Sequence, residues 1–247
     1  MDPQQFILDF PIDPVCDFDN FVVDADNQWI VDALQQSDNA KATCVTIVGE
    51  AGIGKTHLLQ AAVHDFHVAH GQDEAVYLDL NRLADHLNID SGSTHASEEA
   101  LTQFLSRFGN HGLVAIDELE RLETSPALQE GVLFLFNMLR QKEKKMICAG
   151  RTPPNVLIGL RDDLRTRLLW GPVLTLKPPS EEVLVGILGK MADDRQVRVS
   201  EDVLRFLCRR LPRCVPDHAE ALAKLDQEAL RLKRPLTIPL AKKILHL

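Results

Sequence analysis

The fold is decided by one stretch, Gly49-Glu50-Ala51-Gly52-Ile53-Gly54-Lys55-Thr56. It follows an apolar run, residues 43–48, that is typical of a buried strand, and it precedes a helix predicted from about Lys55 to His70. The stretch matches G-x-x-x-x-G-K-[ST] in the strand, loop and helix context that gives this pattern its meaning. Glycines let backbone N–H groups turn toward an anion, and the helix N-terminus adds partial positive charge. The stretch therefore predicts a phosphate-binding loop.

Four side chains predict how a nucleotide and Mg²⁺ would be bound and hydrolysed. Lys55 and Thr56 lie in the loop, and Asp117 and Glu118 follow a later strand. Lys55 is expected to reach the β- and γ-phosphates of a nucleotide, and the Thr56 hydroxyl is expected to bind Mg²⁺. The run Leu113-Val114-Ala115-Ile116-Asp117-Glu118 places two acids after four apolar residues. Ligands bind outside the carboxyl ends of parallel strands. Asp117 is therefore predicted to hold the Mg²⁺ shell, and Glu118 to orient an attacking water.

Short apolar runs alternate with helical segments up to residue 178 and then stop. Strands are predicted at 43–48, 75–80, 113–117, 145–149 and 173–176. Helices are predicted at 27–36, 55–70, 98–108, 126–142, 180–193, 200–211, 216–233 and 237–246. This order predicts an α/β fold with a five-stranded parallel sheet flanked by helices, followed by a small all-α lid. We expect an extended tail at 1–20, a nucleotide-binding domain at 21–178 and the lid at 179–247. In sequence, the strand at 75–80 comes between the loop strand and the strand at 113–117. This spacing favours the class of P-loop proteins whose sheet has an additional strand.

Charge and composition exclude several classes of protein. The 247 residues carry a net charge of −9, and residues 1–40 contain nine Asp with no Lys, Arg or Glu. Strong direct binding to DNA is not expected, because phosphate binding needs a basic surface. No apolar stretch approaches a membrane span, and the acidic start is unlike a signal peptide. The five scattered Cys indicate a reduced, cytoplasmic protein with no membrane association.

Several segments resemble the AAA+ ATPases, and among them the family of the bacterial replication initiator DnaA. Residues 18–23 are similar to the segment that packs on adenine, and residues 54–61 continue the loop as in that family. The resemblance implies ADP or ATP as the ligand, with Mg²⁺ held through Thr56 and Asp117. The nucleotide-binding residues that it implies are Val22, Val23, Gly49, Ala51, Gly52, Ile53, Gly54, Lys55, Thr56, His57 and Asp117.

The chain also resembles the Hda family of short DnaA relatives, most clearly at residues 236–245. Residues 164–171 are similar to the box that carries an arginine finger, and Arg167 takes the finger position. The resemblance implies that Arg167 promotes hydrolysis of ATP bound to DnaA and so prevents over-initiation of replication. Arg161 and Arg165 are secondary candidates, and a solvated basic face is the alternative for all three. An AAA+ homo-oligomer is a further expectation.

The motif Q-x-x-L-x-F occurs near the N-terminus as Gln5, Leu8 and Phe10. It is similar to the peptide that docks on the β sliding clamp of DNA polymerase III. Leu8 and Phe10 would fill an apolar pocket, while Gln5 would make polar contacts at its rim. The alternative is that Leu8 and Phe10 pack on their own domain.

Three residues depart from the family pattern. Glu118 follows Asp117 where Hda-like proteins often lack an acid, so hydrolysis by the chain itself stays open. Gly150 precedes Arg151 where an Asp is usual, and Pro216 stands where the lid usually has a nucleotide-contacting Arg. Two other functions therefore stay open. One is an autonomous DnaA-like ATPase or helicase loader, and the other is a non-catalytic adaptor that binds the clamp.

Overall fold

The computed structural model describes residues 13, 16–36, 43–71, 74–87, 89, 101–232 and 234–247. The chain divides into two compact units. The first contains Met1–Phe21, Val31–Val48 and Lys55–Thr175. The second contains Val22–Ile30, Gly49–Gly54 and Leu176–Leu247. The predicted domain limits at 20 and 178 stay a prediction.

The first unit is built on a five-stranded sheet with the order β2-β3-β4-β1-β5. Its strands are β1 (Cys44–Val48), β2 (Ala75–Asp79), β3 (Leu113–Asp117), β4 (Lys145–Gly150) and β5 (Val173–Thr175). All neighbouring strands are parallel. The predicted parallel sheet is thus confirmed, and β4 lies between the loop strand β1 and the acid-bearing strand β3, as the additional-strand class requires.

Helices of the first unit flank the sheet. They are α1 (Gln28–Gln35), α2 (Lys55–His70), α3 (Leu80–His86), α4 (residues 101–106), α5 (Pro126–Gln141) and α6 (Asp162–Leu168). Helix α1 has its residues up to Ile30 in the second unit and from Val31 in the first. Short 3₁₀ helices occupy Arg107–Asn110 and Leu119–Thr124. All five residues of β1 and all five of β3 are buried, which is why their sequences are almost continuously apolar.

Helix α3 is absent from the sequence prediction, which extended the second strand to residue 80. Asp79 ends β2 and caps α3, because its carboxylate accepts hydrogen bonds from the backbone N–H groups of Asn81 and Arg82. The cap turns the chain into a helix directly after the strand. Leu80, which continues the apolar run in sequence, is therefore the first residue of a helix and not the last of a strand.

The second unit contains a bundle of four helices. They are α7 (Glu181–Asp194), α8 (Glu201–Arg210), α9 (Val215–Leu232) and α10 (Ile238–Leu245). Ser180 caps α7, since its hydroxyl accepts from the N–H of Val183 at 3.3 Å. The helices enclose their own core, which includes Leu188, Leu207 and Leu222, each fully buried. The predicted all-α character of this region is confirmed.

Within the second unit, the Asn27 side chain joins the segment Val22–Ile30 to Lys177, which precedes the helical bundle. Its amide nitrogen donates to the carbonyl oxygen of Lys177, and its amide oxygen accepts from the N–H of Lys177, both at 3.0 Å. The Asn27 side chain is buried. This reciprocal pair satisfies both polar ends of the amide where water cannot replace the bonds.

Among the described residues, no helix is both long enough and apolar enough to cross a membrane.

Candidate functional site

The predicted phosphate loop connects β1 to α2 and has the backbone that its glycines permit. Gly52 and Gly54 have φ of 71° and 108°, in the left-handed region that side chains other than glycine rarely adopt. Ile53 is buried, whereas Ala51 is exposed. Because α2 begins at Lys55, the loop ends at a helix N-terminus, where unpaired N–H groups favour an anion.

Within the second unit, Gly52 is in close contact with the start of α9. Its carbonyl oxygen accepts from the N–H of Val215 at 2.9 Å. A Cβ added to Gly52 would lie 2.4 Å from Cys214 Sγ and 3.0 Å from Pro216 Cδ. Pro216 is thus packed beside the loop as part of the first turn of α9. The contact between Cys214 and Gly52 was not predicted from the sequence.

In the first unit, Asp117 is the centre of a buried hydrogen-bond network at the carboxyl end of β3. Its side chain is 2 % exposed. Asp117 Oδ2 accepts from the Thr56 hydroxyl at 2.6 Å and from the Tyr77 hydroxyl at 3.0 Å. Asp117 Oδ1 accepts from the N–H of Glu118 at 2.9 Å. The structure therefore brings Thr56 and Asp117 together, as the sequence motif requires, and Tyr77 is an additional donor.

Electrostatics around Asp117 act on three neighbouring groups. Burial lowers the pKa of Lys55, although the carboxylates of Asp117 and Glu120 oppose the shift. Burial raises the pKa of Glu118, and the charge of Asp117 adds to that increase. Burial and then Asp117 also raise the pKa of Tyr77 above its ordinary range, so the phenol stays a proton donor. Proximity of opposite charges offsets part of the cost of burying the Lys55 ammonium.

Glu118 is held in an unusual backbone conformation. Its φ and ψ are 61° and 51°, in the left-handed region, where it precedes the 3₁₀ helix Leu119–Thr124. This conformation costs about 1–2 kcal/mol in a residue that has a Cβ. Such strain persists only where the surrounding fold imposes it, and it is concentrated at functional sites. The side chain stays partly accessible at the end of β3, where an acid can orient water.

Glu120, in the 3₁₀ helix after β3, is hydrogen-bonded to the chain that follows β4. Glu120 Oε1 accepts hydrogen bonds from the N–H groups of Arg151 and Thr152, just after β4. A Cβ added to Gly150 would lie 3.0 Å from this oxygen. The absence of a side chain at Gly150 therefore makes room for the Glu120 carboxylate. The departure at Gly150 is the sequence signal of this contact, because β3 and β4 are neighbouring strands.

Residues expected near the base of the nucleotide are distributed between the two units. Val22 belongs to the second unit, where its side chain lies 3.8 Å from the Cβ position of Gly186 on α7. Both Val22 and Val23 are half-buried. His57 belongs to the first unit: His57 Nε2 lies 2.8 Å from the carbonyl oxygen of Asp17. The ring of Phe21 meets the His57 ring edge-on at 5.3 Å.

The three arginines of the 161–167 segment differ in what they bind. Arg161 forms ion pairs with Glu130 and Asp163. Arg165 pairs with Asp162, and it donates to the carbonyl oxygens of Leu157 and Leu160.

Arg167, in the last turn of α6, binds uncharged acceptors instead. Its Nε donates to Asn137 Oδ1 and its Nη1 to the carbonyl oxygen of Asp163, each at 2.9 Å. Over the part of the chain that the structure describes, no ion pair involves Arg167. The finger candidate thus has no carboxylate ion-pair partner among the described residues, whereas Arg161 and Arg165 each have at least one.

The clamp-motif residues Gln5, Leu8 and Phe10 lie outside the described residues, so the structure does not test that prediction.

Two family models match the chain in succession. That of the bacterial DnaA ATPase domain matches residues 12–175, and that of the Hda lid domain matches residues 181–245. The curated relatives include chromosomal replication initiator proteins DnaA. The protein of Corynebacterium jeikeium is 29% identical over 229 residues, covering 91% of this chain and 38% of its own length. That of Leifsonia xyli is 26% identical over 232 residues, covering 92% and 48%. The chain thus spans less than half the length of these two relatives.

Solved structures of similar shape show the fold. Domain III of the Thermotoga maritima replication initiation protein DnaA has a TM-score of 0.81 at 23% identity, over 96% of this chain and 98% of that one. AMPPCP-bound DnaA from Aquifex aeolicus has a TM-score of 0.71 at 21% identity, over 90% and 67%. The Thermotoga maritima RuvB branch migration motor has a TM-score of 0.68 at 14% identity, over 93% and 71%. The fold is that of a P-loop AAA+ module. With its ATPase-domain match covering most of the sequence, the chain belongs to the bacterial DnaA ATPase-domain family.

Proposed function

We propose that this chain is an Hda-like AAA+ regulator that promotes hydrolysis of ATP bound to DnaA and so prevents over-initiation of replication. The observation that carries the proposal is the succession, in one chain, of a DnaA ATPase-domain match and an Hda lid-domain match. The first match supplies the nucleotide-binding module. The second match, at the lid, is what favours a regulator over a general DnaA-like ATPase in this proposal.

In this proposal the chain binds an adenine nucleotide of its own, either ADP or ATP. Two DnaA structures of similar fold are bound to AMPPCP. The loop ending at Lys55 would hold the phosphates through backbone N–H groups and the Lys55 ammonium. Thr56 Oγ1 and Asp117 Oδ2 lie 2.6 Å apart and are both hard oxygen donors, a set that fits Mg²⁺. A bound Mg²⁺ would neutralise phosphate charge, and Tyr77 would keep the Asp117 carboxylate oriented toward it.

Arg167 is the residue proposed to act on the ATP of DnaA. It would enter the partner's site and stabilise the charge that develops on the transferring phosphoryl group, an effect of about 10³–10⁵ in rate for fingers supplied in trans. Its contacts support this role, because its acceptors are an amide oxygen and a backbone carbonyl. Presenting Arg167 to a phosphate requires no ion pair among the described residues to be broken. Arg161 and Arg165 would each have to leave a carboxylate.

The test measures ATP hydrolysis by DnaA in the presence of DNA-loaded clamp and this chain. Arg167→Ala is expected to lower the stimulated rate by about 10³–10⁵-fold, the contribution of a finger supplied in trans. Arg161→Ala is the matched control from the same segment and should leave at least half of the stimulation. Stimulation by Arg167→Ala equal to that of the parent chain would show that the finger assignment is wrong.

Recruitment to the sliding clamp through Gln5, Leu8 and Phe10 is proposed from the motif alone. A clamp-bound regulator reaches DNA indirectly, which suits a chain whose first 40 residues contain nine Asp and no basic residue. Clamp pull-down should retain the parent chain and lose Gln5→Ala and Leu8→Ala. Equal retention of both variants would remove the clamp from the proposal.

A second candidate function is that of an autonomous ATPase, and one observation favours it. It rests on four side chains near the carboxyl end of β3 that would serve hydrolysis in cis, namely Lys55, Thr56, Asp117 and Glu118. Turnover of ATP by the isolated chain distinguishes the candidates. Substantial turnover that Glu118→Gln abolishes favours the autonomous enzyme, whereas negligible turnover in both chains favours the regulator.

A further inference from the structure

The Arg167 side chain is fixed in place by residues of α5 and by the turn that follows α6. Its Nε–H points to Asn137 Oδ1 on α5 and one Nη1–H points to the Asp163 carbonyl, both at 2.9 Å. The indole of Trp170 lies 5.9 Å from the guanidinium carbon. These two hydrogen bonds use two of the five N–H donors of the guanidinium, so three donors are left for phosphate oxygens.

The Trp170 ring is itself fixed. Arg140 stacks on it with the guanidinium carbon 4.2 Å from the ring centroid, and Phe136 meets its edge at 5.7 Å. Phe136 is fully buried, so one side of the indole rests on the core, while 47% of Trp170 is exposed. The Trp170 indole beside Arg167 is therefore packed between Arg140 and Phe136. Asn137 is exposed, and its side-chain oxygen is the acceptor that sets the direction of the Nε–H bond.

We propose that Asn137 is a positioning residue for the arginine finger, and that it acts as a neutral acceptor that aims Arg167 without neutralising it. This inference rests on the proposed function, since it concerns the same arginine. The neutral amide oxygen of Asn137 orients the guanidinium plane through Nε and leaves the three remaining N–H donors for phosphate. A carboxylate at the same position would form an ion pair, as Asp163 does with Arg161, and would compete with phosphate for Arg167.

The chemistry of the interaction sets the expected size of the effect. Nε is a charged donor, and hydrogen bonds to charged groups are the stronger class. Losing the orientation of a transition-state group lowers the rate at saturation, whereas losing a surface contact weakens binding. Replacing Asn137 should change the stability of the chain little, because the residue is exposed and its hydrogen bond to Arg167 lies at the surface.

The experiment titrates full-length chain against ATP-loaded DnaA with DNA-loaded clamp, and separates the plateau rate from the half-saturating concentration. Asn137→Ala should lower the plateau about tenfold with little change in half-saturation. Asn137→Asp should lower it further, because the new carboxylate holds Arg167. Asn137→Gln should recover part of the loss. Gln141→Ala, one turn further along the exposed face of α5, is the matched control and should behave as the parent chain.

Two results would overturn the assignment. One is an unchanged plateau in Asn137→Ala, and the other is a loss seen only as a higher half-saturating concentration, which would make Asn137 a contact with the partner. An Asn137→Asp plateau equal to or above that of Asn137→Ala would refute the neutral-acceptor part of the proposal.

A second measurement keeps the inference independent of the proposed function. In the isolated chain, the Nε–H of Arg167 should give a slowly exchanging NMR signal that Asn137→Ala makes fast, while the Arg161 signal stays as it was. If Arg167→Ala still stimulates DnaA, the proposed function fails, and the NMR result alone decides whether Asn137 orients the side chain. If Arg167→Ala is inactive and the Arg167 signal is insensitive to Asn137→Ala, only the positioning role fails.

Discussion

Replacing Gly52 by alanine tests how closely the phosphate loop packs against the first turn of α9. The new Cβ would lie 2.4 Å from Cys214 Sγ and 3.0 Å from Pro216 Cδ, in a residue with φ of 71°. Adopting a left-handed conformation with a Cβ costs about 1–2 kcal/mol. Overpacking adds about 1–3 kcal/mol. Gly52→Ala should therefore lower the free energy of unfolding by about 2–5 kcal/mol.

The two contributions can be separated with a second substitution. Cys214→Ala removes the Sγ atom that the new methyl group would meet, while it leaves the backbone of Gly52 as it is. The double variant Gly52→Ala/Cys214→Ala should recover most of the overpacking contribution, about 1–3 kcal/mol, and should keep the loss from backbone strain. Urea unfolding followed by circular dichroism gives the free energies of the four chains.

Gly71→Ala is the matched control. Gly71 has φ of 115°, and nothing lies within 4 Å of an added Cβ, so only backbone strain applies there. Two outcomes would refute the reasoning. In one, Gly52→Ala is no more destabilising than Gly71→Ala. In the other, Cys214→Ala brings no recovery in the double variant.

Three further predictions concern buried or half-buried polar groups. Asn27→Ala should lower the free energy of unfolding by about 2–4 kcal/mol in urea denaturation, since two buried hydrogen bonds to the Lys177 backbone are lost; an effect below 0.5 kcal/mol would contradict this. Tyr77→Phe removes one donor to Asp117 and should cost about 1–2 kcal/mol by the same assay, whereas no loss would show that water replaces the phenol. Burial raises the pKa of Cys16 from 9.0 to about 11, and the carboxylates of nearby aspartates add to this. The folded chain thus favours the neutral thiol, so the free energy of unfolding should fall as pH rises from 9 toward 11. Iodoacetamide at pH 8 should label Cys16 up to about 100-fold more slowly in the folded chain than in the urea-unfolded chain. Equal labelling rates would contradict the shift.

The sequence was sufficient for the sheet and for the loop because both depend on local patterns. Strands β1 and β3 are buried on both faces, and continuous apolar runs are the local signature of that burial. The loop motif specifies its own backbone through glycine positions, so Lys55 and Thr56 could be placed at the start of α2 before any coordinates were known.

Contacts between distant segments could not be predicted from one sequence. The pairs Gly52 with Cys214 and Asn137 with Arg167 are separated by more than 160 and by 30 residues respectively, and neither pair belongs to a repeating pattern. Helix α3 was missed for a different reason. The apolar run of β2 continues into Leu80, and the cap that stops the strand comes from a single aspartate, Asp79, which a pattern of hydrophobicity does not register.

The left-handed backbone of Glu118 has a consequence for protein engineering. At φ of 61° and ψ of 51°, glycine or asparagine would be the more stable choice. Selection for thermal stability alone would favour replacing this glutamate, as would design of the residue that best suits the backbone. Such a variant would fold better and would lose the acid at the end of β3. Position 118 should therefore be held fixed in any stabilised version of the chain.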